Sequence, residues 1–287
     1  MEIRPARKSD LESVQLWTAD TFSWGDYIDS VFERWRLDPL GNLLVMADEN
    51  DEPLALCNVA MVSPTEAWLQ GARVHPDHRR RGLATEMTGH ACQWAKGWGA
   101  QVVRLMVEEG NDPAHEQVQS AGFRSVGTWT VARRQVGDGS VIPAGNGGRP
   151  ILGGDRLVLA SSAEAQPAFV AWSSDEIGRT ARGLVPNRWI FRRLLLDDLE
   201  KEARKQRLWV APGGWVIARP VGDTLIANWI HTSSDHAYDV ARSLNLLADE
   251  LHMERIESFF PSIGWLNQGF RRAGSVIRQD VVYARSL

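Results

Sequence analysis

The stretch VHPDHRRRGLATEM, residues 74–87, sets three consecutive arginines, Arg79, Arg80 and Arg81, against Gly82 at the start of an apolar helical pattern. A helix N-terminus leaves about four backbone N–H groups unpaired and carries roughly half a positive charge, so it attracts anions. Gly82 has no Cβ and lets a ligand approach the backbone, and Ala84, the next small residue, keeps that approach open. Arginine adds forked donors that match phosphate oxygens. A strand, a basic glycine turn and a helix together read as a phosphate cradle. The pattern is neither the three-glycine dinucleotide fingerprint nor a Gly-Lys-Ser/Thr phosphate loop.

The body that carries this turn is mildly acidic. Its 287 residues hold a formal net charge of −4, with 44% hydrophobic and 24% charged residues, as in globular proteins. The charge argues against nucleic acid as a partner, since such binding needs several phosphate contacts and no basic face extends from the arginines. No apolar run reaches the ~18 residues of a membrane helix and MEIRPARKSD has no apolar signal core, so no membrane association and a cytoplasmic location are expected. Cys57 and Cys92 are the only cysteines, too few for a disulfide framework or a Cys-rich metal site, and no metal site is read. The 13 tryptophans read as core anchors.

Around the cradle the pattern predicts an α/β (α+β) protein with two similar halves: residues 1–136, a Gly/Pro-rich linker over 137–155, and residues 156–287. In the first half a strand EIRPAR precedes a helix with Leu11, Val14 and Trp17, headed by a Ser9/Glu12 capping box. A second helix covers DYIDSVFERWRL. Strands follow at NLLVMAD, PLALCNVAMV and EAWLQGARV. The cradle helix carries a stripe of Ala84, Met87, Ala91, Trp94 and Trp98 and ends at GWGA. A buried strand QVVRLMV, a short helix from Asp112 and a strand SVGTWTVARRQV complete this half. The second half repeats the outline: a strand RLVLA, a helix headed by Ser161/Glu164, a long amphipathic helix RWIFRRLLLDDLEKEARKQ, and three strands RLWVAP, WVIARP and TLIANWIH. A helix with Val240, Leu244, Leu247 and Leu251 on one face follows, then the strand RIESFFP and a closing strand.

Arg79-x-x-Gly82-x-Ala84 after VHPDH resembles the acyl-CoA pyrophosphate motif of the GNAT superfamily of N-acetyltransferases. Asn111, Ala114, Gly122 and Phe123 are similar to that family's second signature, and the element order of residues 1–136 is also the family's. The second half resembles the same fold more weakly, as a degenerate repeat. The resemblance implies two GNAT-like domains, each a mixed, mostly antiparallel sheet flanked by helices. It implies acetyl-CoA as co-substrate, with the backbone from Arg79, Arg80 and Arg81 through Gly82, Leu83, Ala84 and Thr85 around the pyrophosphate. Pantetheine would lie where the strand ending at Val74 splays from the strand starting near Val102, hydrogen-bonded by Asn111. The implied activity is N-acetylation of a small-molecule primary amine, by a monomer or homodimer. Alternatives are a protein or peptide amine as acceptor, or a non-catalytic acyl-CoA-binding or sensing module.

Acetyl transfer needs a base for the attacking amine and stabilisation of the departing thiolate. The family's tyrosine position holds Val118. His115, one helical turn earlier, is the candidate acid. Glu66 on the EAWLQGARV strand is the candidate base, with Glu108 and Glu109 as further candidates. Trp24, Asp26, Asp29 and Trp68 are candidates for the acceptor site, where carboxylates beside an aromatic ring suit a cationic amine. In the second half HTSSDHAYDVARSL stands in the cradle's place. It has no glycine and no arginine ahead of the helix, and Asp235 and Asp239 repel phosphate.

Overall fold

β1 (Glu2–Pro5), β2 (Gly41–Ala47), β3 (Pro53–Ser63) and β4 (Glu66–Val74) pair antiparallel in order, the last three through continuous buried runs. These strands belong to the first of two compact units, Met1–Val126 with Val282–Leu287; the second is Gly127–Val281. The computed structural model describes residues 1–19, 21, 25–137 and 156–287. Trp24 and all of the 137–155 linker except Gly137 lie outside them. Helices α1 (Asp10–Thr18) and α2 (Ile28–Arg36) bury Val14, Ile28, Phe32 and Trp35 with Leu43, Val45 and Leu56, and Leu11 and Trp17 pack at the edge of this core. The unit continues through α3 (Leu83–Gly97), β5 (Val102–Glu108), α4 (Asp112–Ser120) and the start of β6 (Arg124–Gln135).

β4 decides the shape of this unit. It pairs in parallel with β5 only at Glu66–Val102, Ala67–Val103 and Trp68–Arg104. Further along β4, Gly71 and Ala72 oppose the single residue Cys57 of β3, a bulge that adds twist and turns the strand away from β5. Gly71 takes a left-handed φ of +68°, and a Cβ there would come within 2.5 Å of the Trp35 ring. Only glycine fits both the dihedral and the space.

In the second unit β7 (Val158–Leu159), α5 (Ala165–Ser174), α6 (Glu176–Thr180), β8 (Leu184–Asn187), β9 (Ile190–Arg193), α7 (Leu196–Arg204), β10 (Leu208–Ala211), β11 (Gly214–Val221), β12 (Thr224–His231), α8 (Ala237–Glu250), β13 (Arg255–Pro261), α9 (Gly264–Arg272) and β14 (Val276–Ser286) follow in order. β12 and β13 pair in parallel; β13 then pairs antiparallel with β6 along Trp129–Gln135. β14 gives its last residues, from Val282, to the first unit. Among the described residues, no helix is long and apolar enough to cross a membrane.

Several local expectations are corrected. Ser9 already has helical dihedrals and makes no cap; Asp10 instead accepts the Arg7 amide and the buried Arg4 guanidinium. Ser161 does not cap either, and Glu164 accepts the Trp215 indole N–H. The segment from Trp189 is not one helix. Arg188 turns the chain at φ +55°, Ile190–Arg193 pairs with β8, and α7 begins only at Leu196, where Asp198 accepts both the Leu195 amide and the Arg192 guanidinium. On α3 the buried stripe is Leu83, Met87, Thr88, Ala91, Cys92 and Ala95, while Trp98 is exposed. Leu251 stands at the exposed end of α8.

Both thiols are buried. Desolvation, and secondarily the neighbouring Cys92, pushes Cys57 up to about 12. Desolvation also raises Cys92, against the pull of Arg285. Below about pH 9 these thiols are protonated whether folded or not. Above it the unfolded chain ionises first, so stability falls as pH rises from about 9 toward 12. Urea midpoints measured across that range are expected to drop, and less steeply in Cys57→Ala once its own stability is allowed for. Gly71→Ala should cost about 2–4 kcal/mol, from overpacking and a left-handed alanine, and lower the melting temperature accordingly.

Candidate acetyl-CoA site

From the end of β4 the chain makes a 3-10 turn, Pro76–His78, headed by His75, whose Nδ1 accepts the Asp77 amide at 3.2 Å. Arg80 then takes φ +61° and Gly82 φ +82°. Left-handed residues alternating with ordinary ones turn successive amides toward one side, a concavity suited to anions. The first helical bonds of α3 run from the Thr85 and Glu86 amides to the Gly82 carbonyl, so the Leu83 and Ala84 amides lie ahead of any intrahelical acceptor. A Cβ built on Gly82 would meet nothing within 4 Å. The space above the turn is open, and Arg79, Arg80 and Arg81 are exposed around it. Arg79 donates to the Val74 carbonyl at 3.4 Å, and Arg81 lies 3.5 Å from His78.

Because β4 and β5 run parallel, this turn and the one after β5 leave the pair at the same end. Asn111 heads α4 there with its side-chain oxygen 3.3 Å from the Ala114 amide. Val118, at 5% exposure, packs inward from the same helix and supplies no ionisable group. Gln117 ties α4 to α3 by donating to the Thr88 hydroxyl.

The acceptor candidates separate into two groups. Glu66 and Trp68 sit at the closed end, where β4 and β5 are still paired. Glu66 is 7% exposed, forms an ion pair with Arg104 and accepts from Ser63; Trp68 is 2% exposed. About eight residues of strand, ~26 Å, separate Glu66 from Val74. Glu66 is thus held in a buried ion pair beside the parallel strand pairs, with Trp68 buried two residues further along β4. Asp26 does reach the open end, but its carboxylate takes the Arg73 guanidinium at 2.7 Å and the Ile28 amide at 3.0 Å. Asp29 is exposed on α2 and accepts from Gln15.

Two residues at this end carry no motif: Arg73 and Tyr27. Arg73 also lies over the Tyr27 ring at 5.3 Å. The Tyr27 ring edge is exposed, but desolvation of its hydroxyl raises the phenol above its ordinary value, against the lowering pull of Arg73; Asp26 and Glu108 add smaller upward pushes. Glu108 at the end of β5 is thus within electrostatic reach of this cluster. His115 Nδ1 lies 2.9 Å from the Tyr283 hydroxyl and Nε2 3.1 Å from the Glu109 carbonyl.

The corresponding place in the second unit is closed. The 3-10 turn Ser234–His236 runs directly into α8, and a Cβ on Gly269 of α9 would lie 2.6 Å from the Ala237 Cβ and 2.9 Å from the Tyr238 amide nitrogen. The pocket left between Ser234, Tyr238, Trp265 and Arg272 is about 100 Å³, room for a few waters.

Residues 11–123 match the Acetyltransferase (GNAT) family. No curated protein matches the sequence. Among solved structures, a GCN5-related N-acetyltransferase from Sphaerobacter thermophilus is 13% identical over 99% of this chain and 95% of its own, with a TM-score of 0.63. A tandem GNAT protein from the clavulanic acid biosynthesis pathway is 15% identical over 99% and 98%, with a TM-score of 0.56. The whole chain therefore has the fold of tandem GNAT proteins.

Removing one member of a buried ion pair strands the other charge. Glu66→Ala is expected to destabilise the protein by roughly 3–5 kcal/mol. An exposed base would change stability by only ~0.5 kcal/mol, so chemical denaturation of this variant separates the two roles.

Proposed function

We propose that the chain transfers the acetyl group of acetyl-CoA to the nitrogen of a small-molecule primary amine, with the co-substrate bound by the first unit alone, a reading supported by the match of residues 11–123 to the Acetyltransferase (GNAT) family. The observation that carries this reading is the strand gap that opens after three parallel pairs and leads into the exposed turn at Gly82. The amides from Arg80 to Ala84, at the turn that leads into Thr85, hold the pyrophosphate, and Arg79, Arg80 and Arg81 supply charge. The backbone of β4 beyond its parallel pairs with β5, as far as Val74, and the Asn111 side-chain amide hold the pantetheine arm. The second unit, closed where Gly269 meets α8, takes no CoA.

In the reaction the neutral amine attacks the thioester carbon, a C–N bond forms, and the C–S bond breaks to release CoA thiolate. Glu108, in the cluster with Tyr27, accepts the amine proton directly or through one water. The thiolate is protonated from solvent, since Val118 has nothing to give. Asp26 and Arg73 form a neutral pair beside the Tyr27 ring. Asp29, in the first turn of α2, is a further acceptor contact.

Thermal denaturation with acetyl-CoA tests this directly. At a hundredfold excess over Kd the wild-type protein gains ~2.7 kcal/mol, a shift of several degrees. Arg79→Glu/Gly82→Asp should abolish it. CoA release on adding a panel of small amines, followed by a thiol reagent, then identifies the acceptor; binding without release for any amine would leave a sensor.

A further inference from the structure

The last residues of β14 return to α4 of the first unit. Tyr283 is 3% exposed, and its hydroxyl lies 2.9 Å from His115 Nδ1 and 3.3 Å from Gln119 Nε2. His115 Nε2 lies 3.1 Å from the Glu109 carbonyl. A carbonyl oxygen can only accept, so Nε2 carries the proton and donates to Glu109. Nδ1 of the neutral ring is then the acceptor, and the Tyr283 hydroxyl donates to it while accepting from Gln119. Every polar atom in the chain of contacts has one consistent role.

The anchored carbonyl sits in a critical turn. Glu109 and Gly110 are the only residues between the end of β5 and Asn111, whose own amide bonds back to Glu108. Two further contacts tie down the returning strand: Arg285 donates to the Ala121 carbonyl at the end of α4 at 2.8 Å, and the Leu287 amide donates to the Gln101 carbonyl ahead of β5 at 3.0 Å. The geometry points to Tyr283 and His115 as positioning residues that lock the β5–α4 turn and so hold Asn111 in place for acetyl-CoA. The inference rests on the acetyl-CoA reading above. His115, which the sequence suggests as an acid, has both nitrogens committed to this tether. The phenol comes from the last strand, at the helix face where His115, Val118 and Gln119 lie together.

The test uses the full chain and two independent readouts. In ligand-free protein, amide exchange over residues 109–115 should speed up roughly tenfold in Tyr283→Phe, which loses one hydroxyl, and in His115→Ala. His115→Gln keeps an amide donor for the Glu109 carbonyl and should restore much of the protection. In acetyl transfer, Tyr283→Phe should raise the KM for acetyl-CoA about five- to tenfold with kcat nearly unchanged. Unchanged exchange in both Tyr283→Phe and His115→Ala would overturn the tether. So would a fall in kcat at constant KM with the alkaline limb of the pH profile displaced, which would make Tyr283 a proton donor. If the wild-type protein binds no acetyl-CoA, the functional reading falls, while the exchange measurement still decides the tether.

Discussion

The parallel pairing of β4 with β5 stops after three residues, and the rest of the first unit follows from that. A strand pair that stayed in register would close its backbone groups on one another and leave no groove. The bulge at Gly71 ends the pairing by giving β4 one residue more than β3 can match. The bulge is in turn held by Trp35, whose ring occupies the space a side chain would need. A core tryptophan on α2 thus shapes a groove it does not line. Beyond the bulge, β4 delivers the chain to the left-handed turn ahead of α3 with its amides unclaimed.

The second unit keeps the frame and loses the opening. Its β12 and β13 also pair in parallel for a few residues. There, however, the helix that follows β13 presents Gly269 to the first turn of α8, and the two backbones meet. Glycine has opposite consequences in the two places: at Gly82 it leaves space over a helix end, and at Gly269 it lets another helix take that space. Composition alone does not distinguish the two; the neighbour does.

The features of the sequence with strong local causes were the legible ones. The Arg-Arg-Arg-Gly turn and the Asn111 helix start depend on residues within one turn, and each stands where the pattern puts it. Capping serines were misread because a nearby acid with an arginine partner, Asp10 with Arg4, outcompetes a hydroxyl. The helix drawn through Trp189–Leu195 failed because Asp198 recruits Arg192 and folds the segment back. At Glu66, alternation says nothing about Arg104, 38 residues further on, being its partner. Arg73, Tyr27 and Tyr283 left no trace in the sequence, since their roles arise from contacts between distant segments.

The order in which the chain is made gives the last strand a further meaning. The outer edge of β5 is paired by residues that follow the entire second unit. At ordinary synthesis rates the first unit therefore waits roughly ten to thirty seconds, after its own contiguous residues emerge, for the strand that completes it. Throughout that interval a buried-type strand offers an unpaired edge, the kind of surface that recruits other chains. Completion of the first unit is a late, non-local event that reports on synthesis and folding of everything between Gly127 and Val281. A nascent chain that stalls in the second unit is left with an incomplete sheet in the first.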